Sequence, residues 1–419
     1  MKIPFSPPDM SEEEAKEVRE AILSGWITTG PRTKKLEAQI SEYVGAARTV
    51  CLSSATAAME MVLHLLDLQP DDEVIVPAYT YTATASVTQH VGCRLVMVDS
   101  QKENVEMDYE QLEQAITERT KVIMPVDIAG IVADYDRVYE IVERKKSLFR
   151  PANALQAKIG RVVVAADCAH AFGAVRKGKK AGGIADFSAF SFHAVKNFTT
   201  AEGGALTWKL PFGNEIVPTD VDYMPIVPKK EDETWNEMLY RISQLFSLHG
   251  QNKDALAKTK GGMWEYDIIG PWYKCNMTDI MASLGLVQMR RYPKMLERRQ
   301  KIVARYNAAL DGLNVAVLNH KDAEHCSSHH LYMVRLPGKS REEVNRVMEQ
   351  MAERGIATNV HFKPLPMMTA YKALGFDIKD YPNAYHLFEN EITLPLYTRL
   401  TDEEVDYVIT NFVDIIKNL

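Results

Sequence analysis

Paired cysteines are missing from this chain. Its five, Cys51, Cys93, Cys168, Cys275 and Cys326, are odd in number, far apart and form no CxxC pair. That argues against a disulfide framework and a zinc cluster, and makes a reducing compartment the default. Long apolar runs are missing too. No stretch approaches the ~20 apolar residues that a membrane span needs, and the opening MKIPFSPPDMSEEE has no apolar signal core. The expectation is a cytoplasmic protein with no membrane partner. An excess of positive charge is also absent: 49 Lys and Arg against 56 Asp and Glu leave −7. No global field draws the molecule to nucleic acid, so any anionic ligand needs a local site. Repeats and low-complexity tracts are lacking.

What is there is ordinary globular composition, 46% hydrophobic and 25% charged over 419 residues. After a Pro-rich arm, Ser11 with Glu14 makes a capping box, which predicts a helix that stops near Gly25. Thr33 to Val44 predicts a second helix, with Leu36, Ile40 and Tyr43 on one face. Short apolar runs follow at Thr49–Leu52, Glu73–Pro77, Arg94–Val98, Lys121–Val126, Arg161–Ala165, Asp186–Phe192 and Ala205–Trp208. Helical stretches separate several of them: Thr56–Leu66, Ala83–His90, Tyr109–Ile116 and Tyr135–Lys145. Buried strands alternating with helices predict an α/β domain whose mostly parallel, seven-stranded sheet is covered on both faces.

Residues 145–160 break the rhythm and read as a polar surface excursion, and 210–275 is irregular. Thr278 to Leu310 reads as one long helix. The remainder reads as a smaller α+β unit, with strands at Leu331–Leu336 and Ala357–Val360 and helices at Ser340–Glu353 and Asp402–Lys417. The chain thus divides into an arm (1–13), a large α/β domain (14–255) and a small C-terminal α+β domain (256–419).

Four segments carry chemistry. In Ser191-Phe192-His193-Ala194-Val195-Lys196, a lysine follows a buried strand. Partial burial lowers a lysine's pKa, and the neutral amine can then attack a carbonyl, as a Schiff-base lysine must. Taken alone, a solvated loop lysine explains it better. Asp167 ends the apolar run Val162–Ala166, and ligands of open α/β sheets bind at such strand ends. A carboxylate there can pair with a pyridinium nitrogen, or it can simply cap a helix. His170 follows three residues on. Ser53-Ser54-Ala55-Thr56 links a strand to a helix, where free N–H groups and the helix dipole suit a phosphate. Tyr81 lies at another strand end, where an aromatic can stack on a flat ring or just fill the core. Lysine, acid, phosphate cradle and stacking ring together describe a pyridoxal 5'-phosphate (PLP) site.

These segments closely resemble the DegT/DnrJ/StrS family of sugar-nucleotide aminotransferases, within the fold-type I PLP enzymes. The resemblance spans nearly the whole chain. Leu23-Ser24-Gly25-Trp26-Ile27-Thr28-Thr29-Gly30-Pro31 is similar to the family's opening motif, and Ser54, Ala55 and Thr56 to its phosphate turn, with Ala55 where Gly is usual. Tyr81 matches the ring-stacking residue, Asp167 the pyridinium partner and His170 the ring contact after it. Ser191 and Lys196 match the phosphate-contacting serine and the Schiff-base lysine. Lys274 to Asp279, with Asn276, resembles the segment that reaches the neighbouring subunit's phosphate, and Lys274 stands where Asn is common. Val360-His361-Phe362-Lys363-Pro364-Leu365 matches a motif near the substrate, with Pro366 in place of a common histidine.

The resemblance implies a homodimer with shared active sites. It implies ping-pong transfer of an amino group from L-glutamate to a nucleotide-linked keto sugar, with Trp26, Thr28 and His361 near the substrate and no metal. Dehydratases on the same scaffold carry His at the lysine position, whereas this chain has Lys196. A PLP-dependent amino-acid lyase and a non-catalytic binder of PLP or sugar nucleotide are the other readings.

Overall fold

A computed structural model describes residues 1–419 except 222, 225 and 253–264. The expected boundary at 255/256 lies outside the described residues. The large part contains α1 (Glu12–Leu23), α2 (Pro31–Val44), β1 (Arg48–Leu52), α3 (Ala55–Leu65), β2 (Glu73–Pro77), α4 (Thr82–His90), β3 (Arg94–Val98), α5 (Tyr109–Ala115), β4 (Thr120–Ile123), α6 (Tyr135–Arg144), α7 (Ala154–Ile159) and β5 (Val163–Asp167). The short strands β6 (Val175–Arg176) and β7 (Lys179–Lys180) follow, then β8 (Phe187–Ser191), β9 (Gly204–Trp208) and α8 (Trp235–Ser247). Next come α9 (Asp279–Leu310), β10 (Ala316–Val317), β11 (His325–Cys326), β12 (Tyr332–Arg335), α10 (Arg341–Glu353), α11 (Thr369–Ala373), α12 (Pro382–Glu389), β13 (Glu391–Leu394) and α13 (Asp402–Lys417).

The central sheet has seven strands in the order β1-β9-β8-β5-β4-β2-β3. β9 runs antiparallel to both neighbours, and the other pairings are parallel. Period-two alternation sends Val74, Val76, Val163, Ala165 and Leu206 into one apolar layer. It sends Ile75, Val164, Ala166 and Ala205 into the other. Both faces are therefore buried, and the strand ends are left as the place where polar chemistry can face a cavity.

Local chemistry sets the helix ends. Ser11 caps α1, and its N–H donates to Glu14 Oε2 at 2.8 Å. Pro31 opens α2, and Gly45 closes it in the left-handed region at φ 72°. The long α9 joins two cores. Its Leu286, Tyr292 and Met295 pack under the large sheet. Ile302, Val303, Tyr306 and Leu310 pack with the small three-stranded sheet β10-β12-β13 and with α10 and α13. Among the described residues, no helix is long and apolar enough to cross a membrane.

Three expectations need correction. Segment 145–160 is not a bare excursion. It carries α7, whose Gln156 Nε2 donates to the Leu66 carbonyl at 2.8 Å beside Asn153 Nδ2 at 2.7 Å. The irregular 210–275 contains α8, opened by a Thr234–Glu237 capping box. Ala357–Val360 is no strand, because Asn359 makes only an isolated bridge to Thr393. The strand that fills this place is β13, paired with β12.

Candidate active site

Three of the four chemical segments lie at C-terminal ends of parallel strands, as the sheet's layering requires, and Lys196 follows in the loop after β8. Leu52 ends β1, and the chain turns through Ser53 into α3. Ser54 caps that helix by accepting from Ala57 N–H at 3.0 Å. No helical carbonyl can satisfy the opening N–H groups, at Ala55 and Thr56. β9 packs directly on this turn: a Cβ at Gly204 would stand 2.3 Å from Ser54 C and 2.5 Å from Ala55 N. Only glycine permits that approach.

Asp167 is the last residue of β5 and is buried. Its Oδ2 accepts from Thr84 Oγ1 at 2.7 Å and its Oδ1 from Ala169 N–H at 3.1 Å. Burial raises its pKa, and the Thr84 and Ala169 donors and nearby Lys196 oppose that rise. Lys196 sits in the loop after β8, where its N–H donates to the His193 carbonyl at 2.9 Å. Burial pushes its ammonium down to about 8, with Asp167 pulling the other way.

His170 Nδ1 accepts from Ala129 N–H at 3.2 Å, so in the neutral ring the proton is on Nε2. Burial, Lys196 and His361 hold His170 well below the ordinary histidine range. Ser191 ends β8, and its Oγ accepts from His193 N–H at 3.4 Å. Tyr81, at the start of α4, is 61% exposed.

One cavity of about 390 Å³ brings together Ser54, Ala55, Thr56, Tyr81, Asp167, His170, Ser191, Lys196 and His361. Trp26, Thr28, Lys274 and Asn276 are not among its walls. They gather elsewhere. Asn276 Nδ2 donates to Thr29 Oγ1 at 2.5 Å, Trp26 Nε1 to the Thr29 carbonyl at 3.1 Å, and Asp279 N–H to the Thr28 carbonyl at 3.1 Å. Lys274 Nζ contacts Asn276 Oδ1.

Sequence reasoning singled out none of Thr84, Phe5, Asn197 and His330, and it placed Phe362 in the motif near the substrate without giving it a role of its own. Thr84 stands one helical turn after Tyr81, a spacing that could have marked it. Asn197 follows the lysine directly. Its Nδ2 donates to the Ser328 carbonyl at 2.6 Å, and its Oδ1 lies 2.9 Å from His330 Nδ1. These bonds tie the Lys196 loop to the segment before β12.

A lysine and a buried carboxylate at the strand ends of a doubly covered, mostly parallel sheet define the fold-type I class of α/β transferases. Within that class, the chain belongs to the DegT/DnrJ/EryC1/StrS aminotransferase family, whose model matches residues 8–413, and it is an aminotransferase. Among solved structures, it is similar to Spr1654 of Streptococcus pneumoniae, described as a candidate sugar aminotransferase. The PMP-form superposes with a TM-score of 0.91 at 54% identity, covering 100% of both chains. The PLP-form gives 0.90 at 53%, covering 100% of this chain and 99% of that one. An uncharacterized protein of Methanocaldococcus jannaschii is 37% identical over 97% of this chain and 95% of its own length. The spore coat polysaccharide biosynthesis protein SpsC of Bacillus subtilis is 33% identical over 99% of this chain and 97% of its own.

Proposed function

We propose that the chain is a PLP-dependent aminotransferase. It moves the amino group of L-glutamate onto the keto carbon of a nucleotide-linked sugar, in the cytoplasm, for polysaccharide or glycan precursors. One observation carries this reading: Lys196 and the buried Asp167 face a single cavity beside an open helix N-terminus. The residues present suit PLP. The α3 N-terminus and Ser191 offer donors for a phosphate, and Asp167 is a carboxylate already aimed by two hydrogen bonds. When bound, PLP supplies an electron sink for the carbanion formed at the nitrogen-bearing carbon.

The chain's own residues do the rest. Asp167 holds a proton at the ring nitrogen and stays oriented by Thr84 and Ala169. Ser54, Ala55, Thr56 and Ser191 would hold the phosphate, and Tyr81 and His170, which line the same cavity, would contact the ring. Lys196, with its lowered pKa, would take the proton from the amine-bearing carbon of the donor as a base and, as an acid, deliver it to the cofactor carbon that carried the aldehyde. The printed name of SpsC, which concerns polysaccharide biosynthesis, and the sugar-aminotransferase description of Spr1654 support a sugar acceptor. The Lys274 and Asn276 patch would complete the phosphate site of a second copy in an isologous dimer.

The test begins with an absorbance spectrum of protein purified with PLP, before and after borohydride, and then peptide mapping. A visible band that reduction fixes onto Lys196 supports the reading, as does release of 2-oxoglutarate on addition of glutamate. No band, or an adduct on another lysine, sinks it. A bound cofactor with no 2-oxoglutarate would favour the non-catalytic binder.

A further inference from the structure

The Pro-rich arm is built into the cavity. Ile3 is buried, its N–H donates to the Gly355 carbonyl at 2.8 Å, and its own carbonyl accepts from Ala357 N–H at 3.0 Å. Six residues on, Asp9 is held by Arg291 at 2.7 Å, and its carbonyl accepts from Gln288 Nε2 at 3.0 Å. Pro4, Pro7 and Pro8 restrict the backbone between these anchors. There the arm crosses the cavity mouth as a strap. Ser6 Oγ donates to the carbonyl of Val195, beside Lys196, at 3.3 Å, and Phe5 and Ser6 both line the cavity.

Phe5 stacks on His361, with centroids 5.7 Å apart and planes at 21°. Phe362 meets His361 edge-on at 5.0 Å, and Tyr81 lies 6.1 Å from Phe362. His361 is fixed from behind. Its backbone N–H donates to Glu391 Oε2 at 2.9 Å, and its ring Nδ1 lies 2.9 Å from Thr393 Oγ1, which also bonds Glu391. Among the described residues, nothing bonds His361 Nε2. The strap thus completes a row of rings with one free nitrogen.

We propose that Phe5 is a specificity-determining residue for the amino acceptor, its ring packing on the C–H face of the sugar while His361 Nε2 bonds a sugar hydroxyl. The proposal rests on the reading above. An aromatic face is electron-rich. It attracts the positively polarised C–H groups of a sugar ring and offers nothing to the two carboxylates of glutamate. The arm therefore separates the two substrates that share one cavity.

The test measures the two half-reactions separately, the glutamate half in PLP-loaded protein and the acceptor half in protein first converted to the amino form with glutamate and freed of excess glutamate. Glutamate is followed by 2-oxoglutarate. The acceptor half uses the better of a UDP- and a dTDP-linked 4-keto-6-deoxyhexose. Phe5→Ala should raise the acceptor KM about tenfold and move the glutamate half-reaction less than about twofold, and Phe5→Tyr should recover most of the loss. An acceptor KM within about twofold of the unaltered enzyme overturns the proposal, and so does an equal fall in both half-reactions with a lowered Tm. If the unaltered enzyme consumes glutamate but neither sugar, the sugar-acceptor reading itself fails. If it consumes no glutamate, the aminotransferase chemistry fails.

Discussion

The cavity has a floor and a wall, and they are built differently. The floor residues Ser54, Ala55, Thr56, Asp167, Ser191 and Lys196 come from strand ends of one sheet and the short turns that follow them. The wall residues Phe5, His330, His361 and Phe362 come from the arm and from segments flanking the small sheet. A rigid sheet suits chemistry that needs fixed distances. A wall assembled from separate segments can change without disturbing that sheet, which suits the choice of substrate. Floor substitutions should therefore strike both half-reactions, and wall substitutions one of them.

The largest effect belongs to Lys196→Ala, which should lower turnover by at least about 10³-fold in both half-reactions. Turnover of the purified variant within tenfold of the parent would end the floor's claim to the chemistry. Asp167→Asn comes next, with a loss of about 10²- to 10³-fold. The amide cannot hold the ring proton, yet it can still accept from Thr84. Because the substitution removes a buried charge, Tm should stay level or rise. A fall in both Tm and activity would make Asp167 structural rather than electrostatic.

The floor also sets a pH dependence. Burial holds the Lys196 ammonium down to about 8. Below that value the amine is protonated and cannot attack a carbonyl. PLP capture by apo-protein should thus slow roughly tenfold per pH unit below about 8 and level off above it. Stopped-flow absorbance at constant ionic strength reads this directly. A plateau that begins only near the ordinary lysine pKa would show that burial does not tune Lys196.

The same contrast explains what could be read from sequence. Floor residues follow local patterns: apolar runs ending in Asp167 or Ser191, and a hydroxyl cluster opening α3. The seven strands of the large sheet were legible for that reason. The wall depends on meetings between distant segments, such as Asn197 with His330 across 133 positions and Tyr79 with His361 across 282. No single-chain periodicity encodes them. β13 was missed because it is only four residues long and opens on Glu391 with Thr393 inside it, so no apolar run marks it, and burial pushes the Glu391 carboxyl up to about 8. α8 hid behind Trp, Pro and Lys clusters, although Thr234, Glu237 and the apolar residues Leu239, Ile242 and Phe246 mark it plainly.

The smallest effect concerns the patch that belongs to neither floor nor wall. Lys274 lies beside Asn276, outside the cavity of its own chain. If a second copy uses it for phosphate, Lys274→Ala should weaken PLP affinity about fivefold and leave Tm unchanged, since an exposed cation contributes little to folding. Mixed dimers decide whose site is affected. A Lys196→Ala subunit retains Lys274, and a Lys274→Ala subunit retains Lys196. Refolded together, they form one site with both residues intact and one with neither. At PLP concentrations too low to load the Lys274→Ala homodimer, the mixture should recover turnover that neither variant shows alone. No recovery, with mixed dimers confirmed by mass, would return Lys274 to the surface of its own subunit and leave each cavity complete without a neighbour.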